Sequence, residues 1–340
     1  MNRVLLNTLY VQTQGTHLHL DHETLKVKVE GETRLQIPLH HLGSVAIFGQ
    51  VTVSPFLVHK LAEEGKGLVY YTQNGRFRAR MQGPTSGNVL LRRAQHNVLD
   101  DPEETKNLAH DFVLGKIKNA KSVLLRARRD DPDLSTRLEP YIRELSYLQE
   151  VANRAPSLNE LRGVEGMAAA NYFRALAYLV RVPDFSFSGR NRRPPRDPVN
   201  ALLSFLYALL MNDVASALEG VGLDPQVGYL HALRPGRLAL SLDLMEEFRP
   251  WFADRLALSL INRRQLDRKD FDLRPGGAVM LNESGRKKVI VAYQKRKQEE
   301  LSHPLFKQKL PIGLTWHVQA RLLARRIRGD LETYVAFTPR

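Results

Sequence analysis

At Gly83-Pro-Thr-Ser-Gly-Asn88 the hydrophobic pattern of the chain changes period, and this change limits the fold more than any other feature. Before it lie short runs that alternate or are rich in β-branched residues: Arg3-Val-Leu-Leu-Asn-Thr-Leu-Tyr-Val-Gln12, Thr16-His-Leu-His-Leu20, Leu25-Lys-Val-Lys-Val29, Leu35-Gln-Ile-Pro-Leu39 and Ser44-Val-Ala-Ile-Phe48. Gly67-Leu-Val-Tyr-Tyr71 and Arg76-Phe-Arg-Ala-Arg80 continue the series, with Gln73-Asn74-Gly75 between them as a hairpin signal. A period of two sends successive side chains to opposite faces, so these runs read as strands. One helix interrupts them: Ser54 suits the N-cap, Pro55 the first helical position and Gly65 the C-terminal stop. After the breaker cluster the spacing becomes helical. It predicts helices over 90–98, 101–127, 134–153, 157–180, 197–219, 238–263, 287–301 and 314–328. The expected class is α+β: a small N-terminal β-rich domain with one helix, residues 1–84, followed by a larger all-α domain, residues 89–340.

A chain of 340 residues is long for one domain, which suits that division, and 43% hydrophobic residues supply a packed core. No apolar run reaches the roughly 18 residues of a membrane span. Met1-Asn-Arg-Val-Leu-Leu-Asn7 lacks the apolar region and cleavage site of a signal peptide. No membrane partner is therefore expected. The absence of cysteine excludes disulfides and thiolate metal sites and suits a reducing cytoplasm.

Charge points to a polyanion. The formal net charge is +14; residues 1–84 carry 9 Lys and Arg against 6 Asp and Glu, or +3, which leaves +11 to the helical part. Two segments concentrate it. Ser186-Phe-Ser-Gly-Arg190-Asn-Arg192-Arg193-Pro-Pro-Arg196-Asp-Pro198 holds four arginines and three prolines in 13 residues, so stiff backbone would fix guanidiniums for phosphate contact. Residues 286–297 bring Arg286, Lys287, Lys288, Lys295, Arg296 and Lys297 with no acid. A solvated helix face has the same appearance, but beside the overall charge nucleic-acid contact is the favoured reading.

Set into this basic region are a few acids in apolar surroundings. Asp243 and Glu246 are three apart on an expected helix, so both carboxylates leave one face, among Leu240, Leu242, Leu244, Met245 and Phe248. Such a face is costly unless a cation neutralises it, although acids on a wet face paired with Arg249 give the same pattern. His231, twelve residues before Asp243, offers an imidazole for a mixed O/N site, while a lone histidine is more often structural than a ligand. Glu165 lies in a helix that Ser157 and Glu160 open as a capping box, at the edge of the inward stripe Leu161, Val164, Ala168, Tyr172 and Leu176. Gly163 and Gly166 flank it at about 1 kcal/mol each relative to Ala, which suggests that access to the carboxylate matters; an ordinary exposed glutamate would share its spacing. Carboxylates with an imidazole suit Mg²⁺ or Mn²⁺ in phosphodiester chemistry. The residues alone lead to a basic, nucleic-acid-binding chain with a candidate metal site.

Four blocks carry a resemblance: Arg162-Gly163-x-Glu165-Gly166-x-Ala168-Ala169-x-x-Tyr172-Phe173; Arg192-Arg193-Pro194-Pro195-x-Asp197-Pro198-x-Asn200-Ala201-x-Leu203-Ser204; Gly228-Tyr229-Leu230-His231; and Leu242-Asp243-Leu244-x-Glu246-x-Phe248-Arg249-Pro250. In this order they resemble the CRISPR-associated adaptation integrases, the Cas one family, over essentially the whole chain, and most closely the members found with type I-C systems. The resemblance implies a divalent cation, Mg²⁺ or Mn²⁺, bound by Glu165, His231 and Glu246, with Asp243 as a further acid of the same catalytic site. Many members have Asp where this chain has Glu246, and the adjacent Glu247 leaves the third ligand open between the two. It also implies insertion of short duplex DNA into a repeat array by a 3′-hydroxyl, in homodimers joined by the β-rich domain and bridged by the small companion protein Cas two, in the cytoplasm. Arg192, Arg193, Arg196, Lys287, Lys288, Lys295, Arg296 and Lys297 are the candidates for DNA contact. Asn200 and Ser204 are candidates for supporting the metal ligands. A stand-alone metal-dependent nuclease of branched or single-stranded DNA and a non-catalytic DNA-binding scaffold are the alternatives.

Overall fold

The computed structural model describes residues 8–75, 77–81, 83 and 89–339. Residues 84–88 of the breaker cluster, residues 3–7 of the first expected strand and Arg76 lie outside them. The chain divides into two compact units: the described residues up to 83 with Leu281–Val291, and residues 89 to Met280 with those from Ala292 onward.

The first unit begins with β1 (Thr8–Val11), β2 (Thr16–Asp21), β3 (Thr24–Val29), β4 (Glu32–Pro38), β5 (Ser44–Phe48) and β6 (Val51–Val53). α1 (Pro55–Glu63), β7 (Gly67–Tyr71) and β8 (Phe77–Met81) follow. Two four-stranded sheets result, in the orders β1-β5-β7-β8 and β4-β3-β2-β6. Strands β1, β5 and β7 run parallel, β7 and β8 form the antiparallel hairpin, and Gly75 takes φ +82° in its turn. β2–β3–β4 is an antiparallel meander to which β6, absent from the sequence expectation, adds in parallel. One core joins both sheets and the helix: Leu18, Leu25 and Val27 from one sheet, Val45, Ile47 and Leu68 from the other, Leu57 and Leu61 from α1. The Ser54 hydroxyl accepts the Leu57 N–H at 3.3 Å, and Gly65 closes α1 at φ +64°.

The second unit is mainly helical: α2 (Val89–Asp100), α3 (Pro102–Asp130), α4 (Ser135–Asn153), α5 (Leu158–Ala177), α6 (Pro198–Gly220), α7 (Ala239–Met245) and α8 (Arg255–Asn262). β9 (Phe271–Arg274), β10 (Ala278–Leu281), α9 (Glu283–Gln298), β11 (Glu300–Ser302), β12 (Lys309–Pro311) and α10 (Ile312–Ile327) complete it, α9 continuing from residues of the first unit. Asp101, Ser157 and Asp197 cap α3, α5 and α6 through their side-chain oxygens. α3 packs with α4 and α5, and α6 packs with α7 and α10.

Three expectations are corrected here. The helical region is not all-α, because β9–β10 and β11–β12 form two-stranded ribbons too short to announce themselves by alternation. The single helix expected over 238–263 is broken: α7 stops at Met245, and a π-helical turn, Arg249–Asp254, leads into α8. Pro250 has no N–H to offer the carbonyl four residues back, so an α-helix cannot continue through it. Third, α6 is long and apolar enough, by length and composition, to cross a membrane. It is instead the central core helix of this unit, with Leu202, Leu203, Leu206 and Leu210 fully buried.

Leu206→Ala should therefore lower the unfolding free energy by about 2–5 kcal/mol through lost burial and a cavity. Urea denaturation measures it; a loss below about 1 kcal/mol would contradict the central position of α6.

Candidate active site

The site is organised around Asp243, in the last turn of α7 and fully buried. One carboxylate oxygen accepts the backbone N–H of Tyr229 at 2.6 Å and of Leu230 at 3.0 Å. The other accepts the His231 N–H at 2.9 Å and lies 2.7 Å from His231 Nδ1. The Asp243 carboxylate thus engages Nδ1 of the ring, which leaves Nε2 as the ring nitrogen turned outward. That atom faces Glu246, 3.8 Å from Oε1. The loop reaches α7 this closely because residue 228 is glycine: a Cβ there would sit 2.6 Å from the Ala239 carbonyl carbon and 2.7 Å from the Leu240 nitrogen.

Glu246 follows α7 directly and is buried. Arg249 approaches its Oε1 at 3.1 Å, and the Lys116 ammonium lies 2.7 Å from its Oε2. Lys116 projects from α3 and also pairs with the Glu165 carboxylate from α5. Burial alone would raise the Glu246 pKa, but Arg249, Lys116 and His231 outweigh it and hold the carboxyl down at about 2. Burial likewise acts to lower the Lys116 pKa, and Glu246 and Glu165 reverse this, so the lysine stays charged.

Glu165 and Glu246 thus share one cation, and that cation is an ammonium. Among the described residues no group of three or more His, Asp and Glu side chains stands ready-made around a metal position. The donor chemistry nevertheless fits one. Two carboxylates meet at a single positive charge, His231 Nε2 lies 3.8 Å from the other oxygen of Glu246, and among the described residues buried Glu246 Oε2 has the ammonium beside it but no hydrogen bond. Oxygen donors with one imidazole suit Mg²⁺ or Mn²⁺.

Comparison with known proteins adds the family. The model of "CRISPR associated protein Cas1" matches residues 9–295. A "CRISPR-associated endonuclease Cas1 1" of Moorella thermoacetica is 55% identical over 338 residues, 98% of each chain. The chain belongs to the Cas1 family. Two solved structures share its fold. A chain of a Cas6-RT-Cas1–Cas2 complex superposes with a TM-score of 0.85 at 23% identity, over 99% of this chain and 36% of that one. A casposase bound to integration product gives 0.84 at 22%, over 97% and 93%.

Within this Cas1 chain the remaining expected residues fall in several places. Asp243 sits at the site as the group that fixes His231, with both oxygens engaged. Glu247, the other candidate third ligand, points away: it accepts from Tyr334 Oη at 2.5 Å, the Phe337 N–H at 2.6 Å and Gln319 Nε2 at 3.1 Å. Burial pushes its pKa up to about 8 against those three bonds. Asn200 and Ser204 do not back the metal ligands, which corrects that expectation. Asn200 accepts from Arg190 Nη1 at 2.7 Å and the Asn191 N–H at 3.0 Å, and donates to the Gly189 carbonyl at 2.8 Å; Ser204 accepts from Arg190 at 3.0 Å. Both therefore lock the arginine loop, in which Arg190 lies over the Tyr207 ring while Arg192, Arg193 and Arg196 are exposed. On α9, Lys287, Lys288 and Lys295 are exposed, and Arg296 pairs with Glu299. Lys297 is corrected as a DNA contact: it is buried, 2.8 Å from Asp213, between the Tyr293 and Trp316 rings.

Sequence reasoning missed Lys116 and Asn119. Asn119 Nδ2 donates at 2.7 Å to the carbonyls of Glu247 and Phe337, the first of which lies where the helix breaks. The signal was available: Leu108, Phe112, Lys116, Asn119 and Val123 follow helical spacing, and two polar residues on that apolar stripe must be paired inside.

Gly228→Ala should force the Tyr229–His231 loop off α7 and lower stability by about 1–3 kcal/mol as an overpacked contact. Thermal or urea denaturation reads this; a change within 0.5 kcal/mol would mean that the close approach is not needed.

Proposed function

We propose that this chain is the metal-dependent DNA integrase and endonuclease of CRISPR spacer acquisition, which inserts short duplex DNA into the repeat array. The observation that supports the reading is that Glu165 and Glu246 share the Lys116 ammonium, with His231 Nε2 3.8 Å from the Glu246 carboxylate, in a Cas1-family chain. Glu165, Glu246 and His231 Nε2 would hold Mg²⁺ or Mn²⁺ in place of the Lys116 ammonium. A divalent cation there supplies Lewis-acid stabilisation of the charge that develops on phosphate oxygens and on the leaving oxygen.

The protein's own groups do the rest. Asp243 engages His231 Nδ1 and keeps the ring in its orientation. Arg249 keeps Glu246 ionised. Arg192, Arg193 and Arg196, exposed on a loop locked by Asn200, would hold DNA phosphates, with Lys287, Lys288 and Lys295 as further contacts. In the joining step the 3′-oxygen of the incoming strand forms a bond to phosphorus and loses its proton, while the bond to the displaced 3′-oxygen of the target breaks and that oxygen gains one. One phosphodiester replaces another, so no outside energy source is required. Water in place of the 3′-hydroxyl gives cleavage from the same site. We further infer that the β-rich unit joins two copies, that Cas two bridges such pairs, and that the assembly works in the cytoplasm, where the array is.

The test is a joining assay with purified protein, its companion, a short duplex and a repeat-containing target. Integration products are expected; cutting alone would mean a nuclease, and neither reaction a scaffold. Glu165→Ala should lower both joining and cutting by about 10²–10³-fold, as expected for losing one charge-stabilising group. Lys116 keeps Glu246 as its partner, and Gly163 and Gly166 leave this helix edge open, so the protein should fold and retain DNA binding. A folded Glu165→Ala protein joining at the wild-type rate would overturn the assignment.

A further inference from the structure

Away from the carboxylates, the second unit contains a cleft of about 750 Å³ between the C-terminal half of α3, the start of α4 and the π-helical turn. Arg126, Arg128, Arg129 and Arg255 line it with the hydroxyls of Ser122 and Ser135, and no acid is among the lining residues. Two acids pair with these arginines. Glu139 takes Arg128 at 2.5 Å, and Asp130 lies 3.5 Å from Arg126 and 3.6 Å from Arg129. Four guanidiniums against two carboxylates leave two positive charges over.

Arg255 is the residue that ordinary surface chemistry does not explain. It is half-buried, and among the described residues its side chain has neither a hydrogen bond nor an ion pair. Its guanidinium lies 5.7 Å from the Trp251 ring centroid, and Arg296 lies 5.7 Å from the same ring. Burial first, then Arg126 and Arg296, push its pKa down to about 10. A cation held among cations in a partly dry cleft costs free energy unless an anion completes it. With both its neighbours on the ring being guanidiniums, Trp251 favours an anionic group over a stacked base.

We propose that this cleft is a phosphate-binding subsite that takes a backbone phosphate of a DNA strand, with Arg255 and Arg126 as its principal ligands. Arg126 lies ten residues beyond Lys116 on α3, about 15 Å along the helix axis, so a strand entering the reaction centre would have backbone within reach of the cleft. Arginine forks match phosphate oxygens in pairs, and the two serine hydroxyls add neutral donors. This inference rests on the function proposed above. It adds a second point of grip, separate from the Arg192–Arg196 loop, that would set the direction of the strand.

The experiment measures DNA affinity against salt for metal-free protein, with inorganic phosphate as a separate probe. Wild type, Arg126→Gln and Arg255→Gln are compared; Arg126 is exposed, so its variant should fold even if Arg255→Gln does not. Each substitution should lower the slope of log affinity against log salt by about 0.7–0.9, the value of one phosphate contact. Inorganic phosphate should raise the melting temperature of wild type, and less so for either variant. Wild-type slopes in both variants and no phosphate protection, with wild type itself binding DNA, would overturn the subsite alone. Phosphate protection without a change of slope would make it a free-phosphate site and overturn the DNA assignment. No salt-dependent DNA binding by wild type would remove the proposed function and this inference with it.

Discussion

Glu246 is a carboxylate almost without access to water that must stay ionised, and much of the second unit can be understood as the means of keeping it so. Arg249 arrives from the next turn and Lys116 from α3, while the imidazole of His231 faces the carboxylate from the loop before α7. Removing one partner from a buried ion pair costs about 3–5 kcal/mol, because the charge left behind has nothing to compensate it. The cluster is therefore a strong constraint on the relative positions of α3, α5 and α7. Its composition is two carboxylates around one ammonium, the oxygen donors that the proposed divalent cation would use.

The helix break beside Glu246 belongs to the same design. Pro250 ends the regular hydrogen-bond ladder, and beside the break Asn119 donates to the Glu247 carbonyl. Glu247 then turns inward, where Tyr334, Gln319 and the Phe337 N–H saturate its carboxyl and tie the C-terminal segment to the back of the site. Adjacent glutamates thus have opposite fates. Glu246 is surrounded by cations and held ionised at about 2; Glu247 has only neutral donors and is pushed up to about 8. Gly115 permits the arrangement, since a Cβ there would lie 2.7 Å from Ala336 Cβ.

Legibility in the sequence followed the range of the interactions. The β-then-α order and the helix caps at Ser54 and Ser157 rest on neighbours in sequence and could be read directly. So could the inward stripe of α5, and with it the edge position of Glu165. The three-residue spacing of Asp243 and Glu246 did bring both to His231, but not their separate tasks: burial against the Tyr229–His231 backbone makes the first a positioning group. Lys116 was hidden because a lysine on a basic helix ordinarily reads as solvated. Glu247 and Phe337 meet across 90 residues, a pairing no local pattern reports. Asn200 was legible as important and misread in kind, since its partners are Arg190 and the loop backbone.

The central claim is that Lys116 holds a place made for a metal ion. Anomalous diffraction from crystals soaked in Mn²⁺ tests it most directly. One peak is expected within about 2.0–2.6 Å of an oxygen of Glu165, an oxygen of Glu246 and His231 Nε2, with the Lys116 ammonium moved out from between the carboxylates. No peak there at saturating Mn²⁺, a peak ligated by Asp243 or Glu247 instead, or an unmoved Lys116 bridge would contradict it.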